Sequence, residues 1–315
     1  MLKKVIKMRN EVSLVKADWD GKNIKEYVFS ALNLIGFKPQ GSVNSVAIKP
    51  NLCYYWNAAT GYTTDPIVVS GIIDYLRENF GSDVNIKIVE ADASAMQTKY
   101  AFPILGYTKL AKEKKVELLD LSEDAIEERE VEVNGRKIPF RVPGTLLKSD
   151  LFINVPKMKI MRATHITCAL KNVFGCIALP RKVIYHPFLE EAIVGINKIL
   201  KPHLNLVDGL VALGRFPIRL GLIMAGEDPF SIDWVAAQIM GYNPSKIKFL
   251  KLAVKERLGN PEDIVILGEE LETFRKDFPK ENIIVSKVKM SLQFSLLKAY
   301  KTIVGDVIPP TLENA

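Results

Sequence analysis

Short apolar runs and segments of helical period alternate along most of this chain, joined by short links, and that alternation constrains its fold most. Residues 12–15, 43–48, 84–89, 116–119, 150–153, 203–207, 220–225 and 264–267 have the length and apolar content of strands. Between them, 24–35, 66–78, 102–114, 188–200, 229–240 and 245–258 carry the spacing of helices. Asp65-Pro66 and Asp228-Pro229 are strong helix starts, an N-cap carboxylate before a proline at the first helical position. Such a pattern predicts an α/β fold, a mostly parallel sheet with helices on both faces. One β-hairpin insertion is expected, where 130–133 and 137–142 flank Asn134-Gly135, a pair suited to a type I′ turn. Residues 122–130 read as a solvated connection and Asp20-Gly21 as a turn. The α/β domain is expected over 1–275, as one unit or two lobes, and 276–315 as a basic appendage available for homo-oligomer contact.

Composition narrows the function classes. The net charge of +7 favours anionic partners, although lysine-rich composition is also common in thermophile proteins. Three cysteines, in no CxxC pair, argue against a disulfide framework or a cysteine-only metal knuckle. No window is apolar for long enough to span a bilayer, and the N-terminus lacks a signal core, so a cytoplasmic location without membrane contact is expected. The fingerprints GxGxxG, P-loop and GxSxG are absent from the sequence.

In parallel sheets ligands bind beyond the carboxyl ends of the strands. Lys49 and Asn51 follow one predicted strand, Glu90 and Asp92 another, Asn154 and Lys157 a third, and Asp208 a fourth. Residues 154–186 add two of the three histidines (His165, His186), two of the three cysteines (Cys168, Cys176), and Lys157, Lys159, Arg162, Lys171, Arg181 and Lys182. Rare reactive side chains among so many cations point to a site. Lys171 lies in an apolar segment, where a lysine either snorkels out or is held for a charge. Lys49 could bind a phosphate or carboxylate together with the helix N-terminus at 64–66.

His165 and His186 could ligate a divalent metal with Glu90, or act as hydrogen-bonded structural residues. Cys168 and Cys176 read as small core residues, Cys53 as a loop thiol without an assignable base, and His203 as structural. Asp233, one turn into its helix, is favourable with the helix dipole.

The combination VAIKPN, TTDP, VPKMK…TH…ALKNVFG, LVDG and EDPFSID resembles the domain-of-unknown-function 362 family over roughly residues 43–270, KxK…TH…ALKNxFG being the most specific part. Members of that family often carry a ferredoxin-like module with cysteine-rich motifs, which implies redox company. This chain has no such motif, so an external ferredoxin-like partner is the form that implication takes. A more distant likeness is to the lactate racemase family, which uses a nickel-pincer nucleotide. His165, Lys171 and His186 resemble its order of histidine, cofactor-attached lysine and metal-binding histidine, with ALKNVFG in place of a glycine-rich run.

Two functions follow. The first is an enzyme acting on a small anionic substrate or a phosphate-bearing cofactor, metal-dependent or redox-linked, of isomerase-like or redox class. His165, Lys171 and His186 are then the catalytic candidates, and Lys49, Asn51, Thr64, Lys157 and Asn172 the binding ones. The second is a non-catalytic basic binding protein for nucleic acid or an acidic partner. Nucleic-acid readers spread cations along a face, whereas here they gather with histidine and cysteine, which favours the enzyme.

Overall fold

The computed structural model describes residues 10–18, 22–39, 41–94, 96–275 and 278. The chain opens with β1 (Asn10–Lys16), α1 (Ile24–Leu34), β2 (Ser45–Pro50), α2 (Pro66–Phe80) and β3 (Asn85–Glu90). Next come α3 (Thr98–Ile104), α4 (Tyr107–Lys114), β4 (Glu117–Asp120), the pair β5 (Ile126–Val133) and β6 (Arg136–Pro143), and α5 (Gly144–Lys148). The central stretch supplies β7 (Leu151–Val155), β8 (Lys157–Met161), β9 (His165–Thr167) and α6 (Ala169–Phe174), followed by a 3-10 segment at Lys182–Phe188. Then follow α7 (Leu189–Ile199), β10 (Leu204–Leu213), β11 (Pro217–Gly226), α8 (Pro229–Ile239), α9 (Lys248–Lys255), β12 (Ile264–Gly268) and α10 (Glu272–Arg275).

The main sheet has the order β12-β1-β11-β10-β7-β2-β3-β4, with β8 beside β10 and β9 beside β8. From β10 to β4 all neighbours run parallel. β11 turns back from β10 and is antiparallel to both β10 and β1, while β12 runs parallel to β1. Side chains alternate between two apolar cores, as a strand's two-residue period requires. Ala47, Phe152 and Val207 face the core built with α6, α7, α8 and α9. Val46, Ile48, Leu151, Ile153 and Leu206 face the one built with α1, α2 and α4. The sheet is thus an α/β layer with helices on both faces.

Four local expectations change. Residues 126–130 are strand rather than solvated connection, because their charges pair across the hairpin, Glu128 with Arg141 and Glu130 with Lys137. The hairpin turn itself holds Asn134 and Gly135 both at positive φ (50° and 79°), as type I′ demands. The predicted helix 102–114 is two helices, α3 and α4, parted at Leu105-Gly106, with Gly106 at φ 83°. Residues 245–258 shorten to α9, entered through a 3-10 turn at Pro244–Lys246. Asp208-Gly209 is not a strand end: β10 runs on through a register shift between Gly209 and Val211. The Asp208 carboxylate accepts the Leu210 N–H at 3.1 Å inside that irregularity. The Asp20-Gly21 turn and, Phe278 aside, the 276–315 appendage lie outside the described residues.

Candidate functional site

Between β2 and α2 the chain makes a loop whose ends are tied together. Asn51 N–H donates to Thr64 Oγ1 at 2.9 Å and Thr64 N–H to the Asn51 carbonyl at 3.1 Å, while Thr64 Oγ1 donates to Val155 O at 2.8 Å. The loop lies against β10 at Gly61, where a Cβ would stand 2.9 Å from the Ala212 carbonyl and φ is +76°, so glycine is required there. Tyr54, Trp56 and Tyr62 pack on one another at its surface, with the Trp56–Tyr62 centroids 4.4 Å apart edge to face.

Beneath this loop, at the carboxyl edge of β2, β3 and β7, lies a buried polar network. Lys49, 1% exposed, donates to both oxygens of Glu90 (2.9 and 3.0 Å), to Pro50 O (2.7 Å) and to Asn172 Oδ1 (3.1 Å). Glu90 is filled by the N–H groups of Leu52 (2.9 Å) and Ala91 (3.0 Å). Asn172 receives Asn51 Nδ2 (2.9 Å) and donates to Asn154 Oδ1 (2.8 Å), which passes the chain on to Asn205 Oδ1 (2.8 Å). To one side Lys157 and Asp208 form a second buried ion pair at 2.7 Å, and Asp208 also accepts the Asp65 N–H at 2.8 Å. In a low-dielectric interior each such charge needs its partner, and here each has one.

Three further lysines have no carboxylate partner among the described residues. Lys159, 2% exposed, donates to Asn51 Oδ1, to Tyr62 O at 2.9 Å and to Cys53 Sγ at 3.1 Å. Lys182, 8% exposed, donates to the Asp92 backbone carbonyl, and burial lowers it to about 8 despite the pull of Glu90. Lys171 is half-buried and its ammonium has no hydrogen-bond partner among the described residues. Burial, then the Lys159 cation, pushes it down to about 8. His186, exposed on the 3-10 segment, is lowered by burial and by the charge of Lys171, so these two are electrostatic neighbours. Thr167, cross-strand to Lys159, keeps its buried hydroxyl without a protein partner.

Lys171 and Asn172 are aimed by α6, whose N-terminus is held from another helix. The Asp233 carboxyl on α8 receives the N–H groups of Ala169 (2.5 Å) and Leu170 (3.3 Å), in the manner of an N-cap supplied from a distance. Burial outweighs these two donors and pushes Asp233 up to about 8. The sequence reading placed Asp233 with its own helix dipole; its role for α6 has no local signal.

Several expected sites change. The phosphate cradle of Lys49 with α2 is not formed: Glu90 holds Lys49, and the Asp65 side chain itself caps α2 through the Ile67 N–H at 3.0 Å. His165, Glu90 and His186 are not assembled into a ligand set. The His165 ring packs on Tyr242 at 6.0 Å, and Glu90 is spent on Lys49 and two amides. Among the described residues no group of three or more His, Cys, Asp or Glu side chains is placed to hold a metal ion. His165 instead occupies the left-handed region (φ 64°) straight after the three-residue turn of the β8–β9 hairpin, where a positive φ closes the turn. Of the three catalytic candidates, the structure thus brings Lys171 and His186 together. Lys159 joins them through its charge on Lys171, while Lys182 lies closer to Glu90 and Lys49. Neither Lys159 nor Lys182 is singled out in the sequence beyond the cation count. His203 Nδ1 accepts the Phe152 N–H at 3.0 Å, a structural bond. Burial raises Cys168 well above the usual thiol range and Cys176 to about 12, so both are core residues. A cavity lined by Asn10, Glu11, Lys201, Glu227, Asp228 and Arg257 lies at the opposite edge, where β1 and β10 begin.

The model of the family described as domain of unknown function (DUF362) matches residues 46–238, from β2 into α8. The chain belongs to this family. The DUF362 match encloses every residue of the network, from Lys49 to Asp233. A thylakoid-associated protein of Synechocystis sp. is 28% identical over 180 residues, which are 51% of this chain and 54% of that protein. The chain therefore spans about half the length of that curated relative. Among solved structures, the lactate racemase apoprotein from Thermoanaerobacterium thermosaccharolyticum overlays 70% of this chain and 54% of its own, with a TM-score of 0.41 and 13% identity. That overlay is too loose to carry any residue role. Among the described residues no helix is long and apolar enough to cross a membrane.

Proposed function

We propose that the carboxyl edge of the sheet is the active site of an enzyme acting on a small anion. Lys159, Lys171 and Lys182 supply the attracting charge, and Lys171 with His186 carries protons. One observation supports this most: Lys159 and Lys182 are buried without a carboxylate counter-ion among the described residues, and the half-buried Lys171 ammonium has no hydrogen-bond partner there. Holding unpaired cations out of water is costly, and a bound anion offsets that cost. Lys171 at about 8 can give up its proton near neutral pH, the property wanted of a general acid or base, and burial and the Lys171 charge lower His186. Inorganic phosphate, sulfate and short carboxylates should therefore raise the melting temperature of the wild type, and Lys171→Ala or Lys182→Ala should remove most of that gain. An equal gain in wild type and both variants would refute the assignment.

A further inference from the structure

We propose that Lys171 is an imine-forming amine and that the anion is a short oxo acid, carrying one carboxylate and one ketone or aldehyde carbonyl. This rests on the anion-site reading above and names the class of anion.

Nucleophilic attack needs a nitrogen lone pair that nothing else uses. The other lysines of the cluster are committed: Lys49 to Glu90, Pro50 and Asn172, Lys157 to Asp208, Lys159 to three acceptors, and Lys182 to the Asp92 carbonyl. Lys171 alone of the five has no such partner among the described residues. Its backbone is nevertheless held on both sides, through Leu170 and Ala169 bonded to Asp233 and through Asn172 bonded to Lys49, Asn51 and Asn154. A free amine on a fixed stem, beside an anchored second ammonium, is the arrangement that makes a lysine nucleophilic. With Lys171 near 8, an appreciable neutral fraction exists at ordinary pH.

The carboxylate half of the ligand follows from what the site lacks. The α2 N-terminus is already capped by Asp65 and that of α6 by Asp233, so neither offers a ready cradle for a phosphoryl group. A singly charged carboxylate asks only for the positive field of Lys159 beside Lys171. His186 faces Lys171 electrostatically, and Cys53 and Lys159 are the other titratable groups that act on that amine.

The step balances. The Lys171 lone pair adds to the carbonyl carbon while the C=O π pair moves onto oxygen. A proton then passes from nitrogen to oxygen, giving a carbinolamine. The C–O bond breaks, the hydroxyl leaves with one more proton as water, the nitrogen lone pair closes the C=N bond, and the iminium nitrogen then returns that proton. A proton relay through His186, the histidine that feels the Lys171 charge, is part of the proposal. Oxo acid plus amine gives imine plus water, with no change of oxidation state.

The test is reductive trapping. The full chain is incubated with pyruvate and borohydride and its peptides are mapped by mass spectrometry. Calorimetry runs in parallel with pyruvate and with propionate, which keeps the carboxylate and lacks the carbonyl. The expected result is one saturable reduced adduct on the peptide carrying Lys171, in a protein that binds both acids. Lys171→Arg, which keeps the cation, should still bind propionate and trap nothing at that peptide. Binding of both acids without an adduct at Lys171, or adducts spread evenly over surface lysines, overturns the imine and leaves the anion site standing. If neither acid binds and pyruvate leaves no adduct, both readings fall.

Discussion

Lys157 and Lys159 stand two residues apart on β8, both almost fully buried, and their surroundings differ in kind. Lys157 meets the Asp208 carboxylate at 2.7 Å, whereas Lys159 meets only an amide oxygen, a backbone carbonyl and a thiol. The same division separates Lys49, paired with Glu90, from Lys171 and Lys182, which pair with no carboxylate among the described residues. The inner region, Lys49–Glu90 with Lys157–Asp208 and the asparagine chain, is charge-balanced and ties β2, β3, β7 and β10 together. The outer region carries excess charge and contributes nothing to that tie. Buried polar groups that satisfy one another hold a fold; on the proposed reading, those left short of a counter-charge await an anion.

Mutation should expose this contrast. Glu90→Gln strands the Lys49 charge and is expected to cost about 3–5 kcal/mol in denaturant unfolding, as is Asp208→Asn for Lys157. A loss below about 1 kcal/mol would deny the inner region its structural role. Asn154→Leu removes the shortest bond of Asn172 Nδ2 and the donor to Asn205 Oδ1, and should cost about 1–3 kcal/mol on the same measurement. Lys171→Ala, by contrast, is expected to change stability by no more than about 1 kcal/mol in either direction, while abolishing stabilisation by added anions. A large loss there would move Lys171 into the inner class.

The pH dependence is a smaller and slower effect. Folded Lys171 and Lys182 lose their protons near 8, while the unfolded chain keeps them to near 10.5. Between those values the unfolded state holds more protons, so stability from these groups rises with pH while anion affinity falls. Asp233 acts in the opposite sense. Its proton is kept from 3.8 up to about 8 in the fold, so its contribution declines as pH rises through that window. Unfolding curves of Asp233→Asn should lack that decline; an unchanged slope would show that Asp233 is ionised throughout.

Much of the frame is readable in the sequence where the controlling contacts are local. Asp65-Pro66 caps α2, and Asn134-Gly135 turns the hairpin, because each depends on neighbours a few residues away. The strand-end residues Lys49, Asn51, Glu90, Asn154 and Lys157 do gather, because parallel strands bring their carboxyl ends together. What stayed hidden is non-local. Nothing beside Asp233 in the chain announces that it caps α6, 64 positions away in sequence. Asp208-Gly209 resembles a stop because a bulge and a turn use the same residues. His165 resembles a ligand because a histidine's chemistry is visible in a sequence and its backbone angle is not.

The central claim is that the outer lysines form an anion site whose charge is completed at Lys171. Calorimetric titration of a small carboxylate near pH 8, in two buffers of different ionisation enthalpy, tests it most directly. The account expects proton uptake on binding in the wild type, since an anion raises the affinity of Lys171 for its proton, and clearly less in Lys171→Ala. Binding without proton uptake, or uptake unchanged in the variant, would contradict it.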